Sequence, residues 1–182
     1  MTFRIKNIKI IEDKNLLNII PKGKVAINCL NAHSYNIAQK DSVFANILNK
    51  STYLIPDGIS IVWACKWLNA ISKPKERIVG WDLFSIEMEK LNSETGKGEF
   101  QSRNNNSKLP VVMFFGSSEK VLKLIRKRMN KEYPLLQVCT YSPPYKRVFS
   151  DEDNRNMIEA INQEANEQRL SAFANLHIFT TI

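Results

Sequence analysis

Short apolar runs of strand length recur along this chain, and the segments between them carry apolar residues at helical spacing; this alternation restricts its fold more than any other feature. The runs are Val25 to Asn28, Thr52 to Ile55, Pro110 to Phe115 and Leu135 to Cys139. Val121, Leu122, Ile125 and Met129 mark one side of a helix between 118 and 132. A further helix is expected from Ser150 to about Ala165, with Asp151, Glu152 and Asp153 complementing the positive end of its dipole. Strands joined through helices of these lengths pair in parallel by crossover connections. The expected fold class is therefore α/β, a Rossmann-like parallel sheet flanked by helices.

The remaining elements follow from local signals. Phe3, Ile5, Ile8 and Ile10 alternate imperfectly with Lys and Asn, as in a partly exposed strand near a sheet edge. Residues 21–24 make a turn. Asn31 is placed to cap a helix over Ala32 to Gln39, and Asp41 a second helix ending near Lys50. Leu83, Phe84, Ile86 and Met88 allow a helix from Trp81 to Leu91. The polar, aperiodic stretch 92–109 reads as a loop or linker. It divides the chain into an N-terminal α/β half, 1–91, and a second Rossmann-like half, 110–165, followed by a tail, 166–182.

A chain of 182 residues with 43% hydrophobic content is long enough for a real core. Cys29, Cys65 and Cys139 are far apart, and His33 and His177 add no ligand spacing, so neither a metal site nor a disulfide framework is expected and a reducing compartment fits. The N-terminus has no signal-peptide centre and no apolar run approaches a membrane span, which points to the cytoplasm. The net charge of +8 attracts phosphates of any kind without choosing among them. No helix-turn-helix, aromatic RNA-binding signature or zinc spacing supports nucleic acid as the partner.

Function concentrates between Ser51 and Asp82. Pro56 stops the strand that ends at Ile55, and Ile59, Val62 and Trp63 start a helix just beyond Gly58, so Asp57 stands at a strand's carboxyl end beside a helix N-terminus. In open α/β sheets that edge lines the ligand crevice. The same position also suits a helix N-cap, since Pro-Asp-Gly is a common turn sequence and Asp a good cap. Gly116-Ser117-Ser118, after the strand at 110–115, reads either as a phosphate-binding turn or as an ordinary βα turn with a serine cap. The basic face of Lys120, Lys123, Lys127 and Lys131 reads either as solvated or as facing an acidic membrane surface.

The string IPDGISIVWA, followed by ERIVGWD from Glu76 to Asp82, resembles the signature of the WecG/TagA/CpsF glycosyltransferases, which build bacterial surface polysaccharides and wall teichoic acids. The resemblance runs from about residue 3 to 162. The family's Thr-x-Asn element corresponds to Cys29-Leu30-Asn31, with Cys29, a poorer hydrogen-bond donor, in place of threonine. Its Arg-x-x-Gly-x-Asp element corresponds to Arg77 through Asp82. Phe114-Phe115-Gly116 is similar to its strand and glycine turn, and Thr140 to Tyr145 occupies its next loop. The resemblance implies an inverting transfer of an N-acetylmannosamine-type sugar from a UDP donor to an undecaprenyl-diphosphate-linked N-acetylglucosamine, without a metal or other cofactor. Asp57 would be the general base. Arg77 would neutralise the departing UDP diphosphate, although a surface ion pair with Glu76 is the alternative. Cys29, Asn31, Asp82, Gly116, Ser117 and Tyr145 would contact substrate.

Beyond Ile161-Asn162 the text departs from the family, which continues with further strands, a functional glutamine and a basic membrane-docking tail. The expectation is a truncated or frameshifted chain whose incomplete C-terminal part leaves a parallel strand unpaired and favours homo-oligomers. Its contact with the inner membrane surface would be weakened. The rival expectation is a catalytically incompetent nucleotide-sugar or lipid-phosphate binding domain.

Overall fold

The computed structural model describes residues 3–21, 25–96, 110–167 and 176–181, with the backbone alone for 164–167 and 176–181. Most of the expected turn at 21–24, residues 97–109 of the expected loop, and 168–175 and 182 of the tail lie outside the described residues. The chain forms two compact units, Met1–Glu87 and Met88–Ile182.

In the first unit, β1 (Ile27–Leu30) pairs in parallel with β2 (Tyr53–Pro56), and α1 (Ala32–Ala38) and α2 (Ser42–Asn49) form the crossover between them. Asn31 caps α1 in a reciprocal box with Ser34, and Asp41 accepts hydrogen bonds from Val43 and Phe44 at the start of α2. Both caps stand where the sequence puts them, because a cap acts over only two or three residues. The register Ile27↔Tyr53 and Cys29↔Ile55 sets one face of the pair, and Asn28↔Leu54 and Leu30↔Pro56 the other. Each face is covered. Leu30 and Leu54 pack with Phe3, Ile5, Ile8, Ile10, Leu48, Ile61 and Cys65, while Ile55 packs with Ile11, Leu17, Ile20 and Ile78. Burial on both sides explains why β2 reads as a continuous apolar run rather than an alternating one.

The reading of residues 3–10 as an edge strand is corrected. Ile5–Asn7 is a 3-10 turn and no residue of 3–10 joins a strand, yet Phe3, Ile5, Ile8 and Ile10 are all buried. The segment contributes side chains to the core while its backbone hydrogen-bonds to turns and loops. Ile10 N–H donates to Ser72 Oγ at 3.0 Å, and Lys6 O accepts from Ile71 N–H at 3.0 Å.

After β2 come α3 (Ile59–Trp67) and α4 (Gly80–Gly96). The second helix continues into the stretch expected to be a loop. In the second unit, β3 (Val111–Gly116) lies between β4 (Gln137–Tyr141) and β5 (Leu176–Thr181), parallel to both, with α5 (Glu119–Glu132) joining β3 to β4 and α6 (Asp151–Glu167) following β4. Residues of the tail, to which the sequence assigns no element, form β5 and occupy the second edge of β3. Val111, Val112, Met113 and Phe114 are buried in succession, as in a strand covered on both faces of its sheet. Each unit is a parallel sheet with crossover helices, the Rossmann-like α/β arrangement.

Candidate functional site

Asp57 follows the last residue of β2, and its surroundings are assembled by backbone bonds. Its N–H donates to Leu30 O at 2.9 Å, which holds the ends of β1 and β2 together, and to Ile55 O at 3.0 Å. One residue earlier, Pro56 O accepts from Ile78 N–H at 3.0 Å, bringing the segment that carries Arg77, Gly80 and Asp82 to the same carboxyl edge. Strand alternation places Cys29 and Asp57 on one side of that edge, in line with Ile55.

The helix-cap reading of Asp57 is not what forms. The N-cap of α3 is Gly58, at φ 158° and ψ 134°, with no side-chain cap. Among the described residues the Asp57 carboxylate accepts no hydrogen bond and joins no ion pair, and the residue is partly exposed. A half-buried carboxylate free of protein partners can accept a proton or a hydroxyl from a ligand.

Asn31 is adjacent: a Cβ built on Gly58 would lie 3.7 Å from its Cβ. Its Oδ1 is taken by Ser34 N–H at 2.9 Å, leaving the Nδ2 amide hydrogens as the donors this side chain has to offer. Cys29 keeps an exposed surface, yet its thiol is pushed up to about 11, first by loss of solvation among surrounding protein atoms and second by the negative charge of Asp57. It is therefore a neutral thiol and a weak donor, not a nucleophile. A Cβ on Gly80 would meet Cys29 Sγ at 3.7 Å, so the start of α4 passes directly over the thiol.

Arg77 is exposed, and among the described residues its side chain makes neither the ion pair with Glu76 nor any other hydrogen bond. Asp82 is engaged. Its Oδ1 accepts from Lys14 Nζ at 2.6 Å and its Oδ2 from Val79 N–H at 3.0 Å. The Lys14 bond above all, then the Val79 N–H, lowers its pKa, with the charge of Arg77 a smaller cause. Asp82 thus fixes the loop ahead of α4, and Lys14, on the 3-10 helix Lys14–Ile19, is a member of the site that sequence reading missed. The partners stand 68 positions apart in the sequence, which leaves no local signal for the pair.

In the second unit, Gly116 ends β3 at φ 109° and Ser117 follows at φ 63°, a left-handed conformation uncommon for a residue with a side chain. Ser142 Oγ donates to Ser117 O at 2.8 Å, tying the turn to the segment after β4. Ser118 caps α5 through Val121 N–H. The turn is thus a serine-capped βα turn whose first N–H groups lie at a helix start. Tyr145 is fully exposed at 108%. The structure brings Cys29, Asn31, Asp57, Arg77 and Asp82 together in the first unit, and Gly116 and Ser117 form a separate turn in the second. Among the described residues no group of three or more His, Cys, Asp or Glu side chains is placed to hold a metal ion. No helix of the described residues is long and apolar enough to cross a membrane.

Comparison with known proteins bears on this arrangement. Residues 3–170 match the sequence model of the glycosyl transferase WecG/TagA/CpsF family. Two curated relatives are each named N-acetylglucosaminyldiphosphoundecaprenol N-acetyl-beta-D-mannosaminyltransferase. The one from Bacillus subtilis (strain 168) is 26% identical over 119 residues, 65% of this chain and 40% of its own length. That from Bacillus spizizenii is 25% identical over 109 residues, 59% of this chain and 36% of its own. The matched stretch is therefore less than half of either relative.

Proposed function

Since the chain belongs to the WecG/TagA/CpsF family of glycosyl transferases, we propose that it transfers an N-acetylmannosamine-type sugar from a UDP donor to undecaprenyl-diphosphate-linked N-acetylglucosamine. The observation that carries this reading is the Asp57 carboxylate, unpartnered among the described residues, at the joined carboxyl ends of β1 and β2. The names of the two relatives supply the acceptor and the sugar.

In a single displacement with inversion, the acceptor hydroxyl oxygen bonds to the anomeric carbon as the bond from that carbon to the UDP oxygen breaks. Asp57 takes the hydroxyl proton, and the electron pair of the broken bond leaves with UDP. The guanidinium of Arg77, charged at every relevant pH and not engaged by protein, neutralises the departing diphosphate. Asn31 Nδ2 donates to a sugar or acceptor hydroxyl. Cys29 offers the thiol where relatives of the family pattern offer a hydroxyl, which weakens one contact without adding a charge. Asp82 acts through Lys14 and Val79 by holding the Arg77 segment in place. In the second unit, the amide groups at the Gly116-Ser117 turn suit a phosphate, and Tyr145 is open to a ligand. The acceptor's lipid keeps the reaction at the inner face of the cell membrane, as a step in surface polysaccharide or teichoic acid synthesis.

The test supplies UDP-N-acetylmannosamine and a short-chain lipid-linked acceptor and measures the disaccharide product. Product formation that Asp57→Asn abolishes, with donor binding retained, supports the proposal. Donor binding without product in the unaltered protein supports the alternative of a nucleotide-sugar binding domain.

A further inference from the structure

α3 breaks the usual rule for a helix at a protein surface. Ile61, Val62 and Cys65 point into the core, and the opposite side should be polar. Instead the outward side carries Ile59, Trp63 and Trp67 at successive fourth positions, exposed by 48%, 51% and 78%. The two indoles stack with their rings 6.1 Å apart, so the strip is one continuous surface. Leu68 and Ile71, both at least half exposed, extend it past the end of the helix. A helix that is apolar all round is normally covered on both sides, and exposed apolar patches of this kind mark interaction sites.

The surroundings of the strip identify what covers it. Lys66 lies on the same helix, and Lys73 and Arg77 follow within a short loop. Among the described residues none of their side chains has a hydrogen bond or ion pair with protein. Lys6, whose carbonyl binds Ile71 N–H at 3.0 Å, adds another exposed cation beside the strip. A second copy of the chain is a poor fit: a stable protein interface uses about 20–30 residues a side, and each copy carries a net charge of +8. An anionic bilayer satisfies both halves of the pattern. Indoles favour the headgroup boundary, aliphatic side chains reach the acyl region, and lysine and arginine meet the lipid phosphates.

We propose that the outward face of α3, with Ile59, Trp63, Trp67, Leu68 and Ile71 flanked by Lys66 and Lys73, docks the protein on an anionic phospholipid surface. The inference concerns lipid binding alone and stands apart from sugar transfer. The full chain carrying Trp81→Phe, so that only Trp63 and Trp67 fluoresce, is mixed with phosphatidylglycerol-containing vesicles and with pure phosphatidylcholine vesicles. Co-sedimentation and a blue-shifted emission are expected with the first, weakening as salt rises, and neither with the second. Trp67→Glu, at a largely exposed position, should leave the far-ultraviolet circular dichroism unchanged and weaken vesicle binding by about tenfold or more. Asp57→Asn should bind vesicles as the parent does, whatever its effect on transfer. The proposal is overturned by absent vesicle binding, by equal binding of the Trp67→Glu variant, or by a blue shift that needs no vesicles and tracks a concentration-dependent doubling of mass.

Discussion

Substitution of Asp57 separates the two roles open to an aspartate at a strand-to-helix junction. Were its carboxylate the cap of α3, Asp57→Ala would remove a bond to the first helical turn and destabilise the protein by about 0.5–2 kcal/mol. The cap is Gly58, and the carboxylate has no hydrogen-bond partner among the described residues. Both Asp57→Ala and Asp57→Asn should therefore stay within about 0.5 kcal/mol of the parent, the ordinary range for a surface change. For a chain of this length that is roughly 1–2 °C in Tm. Transfer should fall about 10²- to 10⁴-fold, the usual contribution of a general base, equivalent to about 2.7–5.4 kcal/mol of barrier. A third readout needs no substrate. The Cys29 thiol stands at about 11 because of desolvation first and the Asp57 charge second, so removing the charge lowers that value only in part. Alkylation of Cys29 with iodoacetamide across alkaline pH, followed on its peptide by mass spectrometry, should show a lower midpoint in Asp57→Asn. A Tm loss of several degrees in Asp57→Ala with transfer intact would make Asp57 a cap after all. An unmoved alkylation midpoint would place its charge away from the thiol.

Three further outcomes follow from the same coordinates. Lys14→Met breaks the pair with Asp82, and because Lys14 is 42% exposed the screened loss is about 0.5–1 kcal/mol in urea unfolding; a loss above roughly 3 kcal/mol would indicate a buried pair instead. Asp153 accepts from Lys146 Nζ at 2.7 Å and from Ser150, which hold its pKa at about 2. A carboxyl with a depressed folded-state pKa contributes stability above its unfolded value of about 3.9 and loses it as pH falls towards 2. Thermal scans between those limits should show a falling Tm that is shallower in Asp153→Asn, and identical slopes would exclude the linkage. Met113→Ala, in the middle of β3 and 1% exposed, should cost about 2–5 kcal/mol by denaturant unfolding, and a loss below 1 kcal/mol would mean that β3 is not a buried central strand.

Features that act over a few residues were legible before any coordinates. The caps Asn31, Asp41 and Ser118 are such features, and so is the alternation of apolar runs with helical segments. Features that need a distant partner were not. Phe3, Ile5, Ile8 and Ile10 repeat in a way that suits a strand, but pairing needs a neighbouring backbone, and theirs is spent on Ser72 and Ile71. The tail offers short apolar text that no pattern assigns to an edge of β3. Lys14 has nothing in its own neighbourhood to mark it as the partner of Asp82.

By itself, the order of residues determined the α/β class, the helix starts, and the presence of an aspartate where β2 gives way to α3, because propensity, capping and periodicity are local quantities. Tertiary structure alone decided that Gly58 rather than Asp57 caps that helix, that Ile78 binds Pro56 and so delivers Arg77 to the same edge, and that one apolar side of α3 faces outward. Those outcomes depend on which backbone groups find each other across long stretches of chain, and apolar periodicity reads the same whether a face meets the core, a bilayer or water.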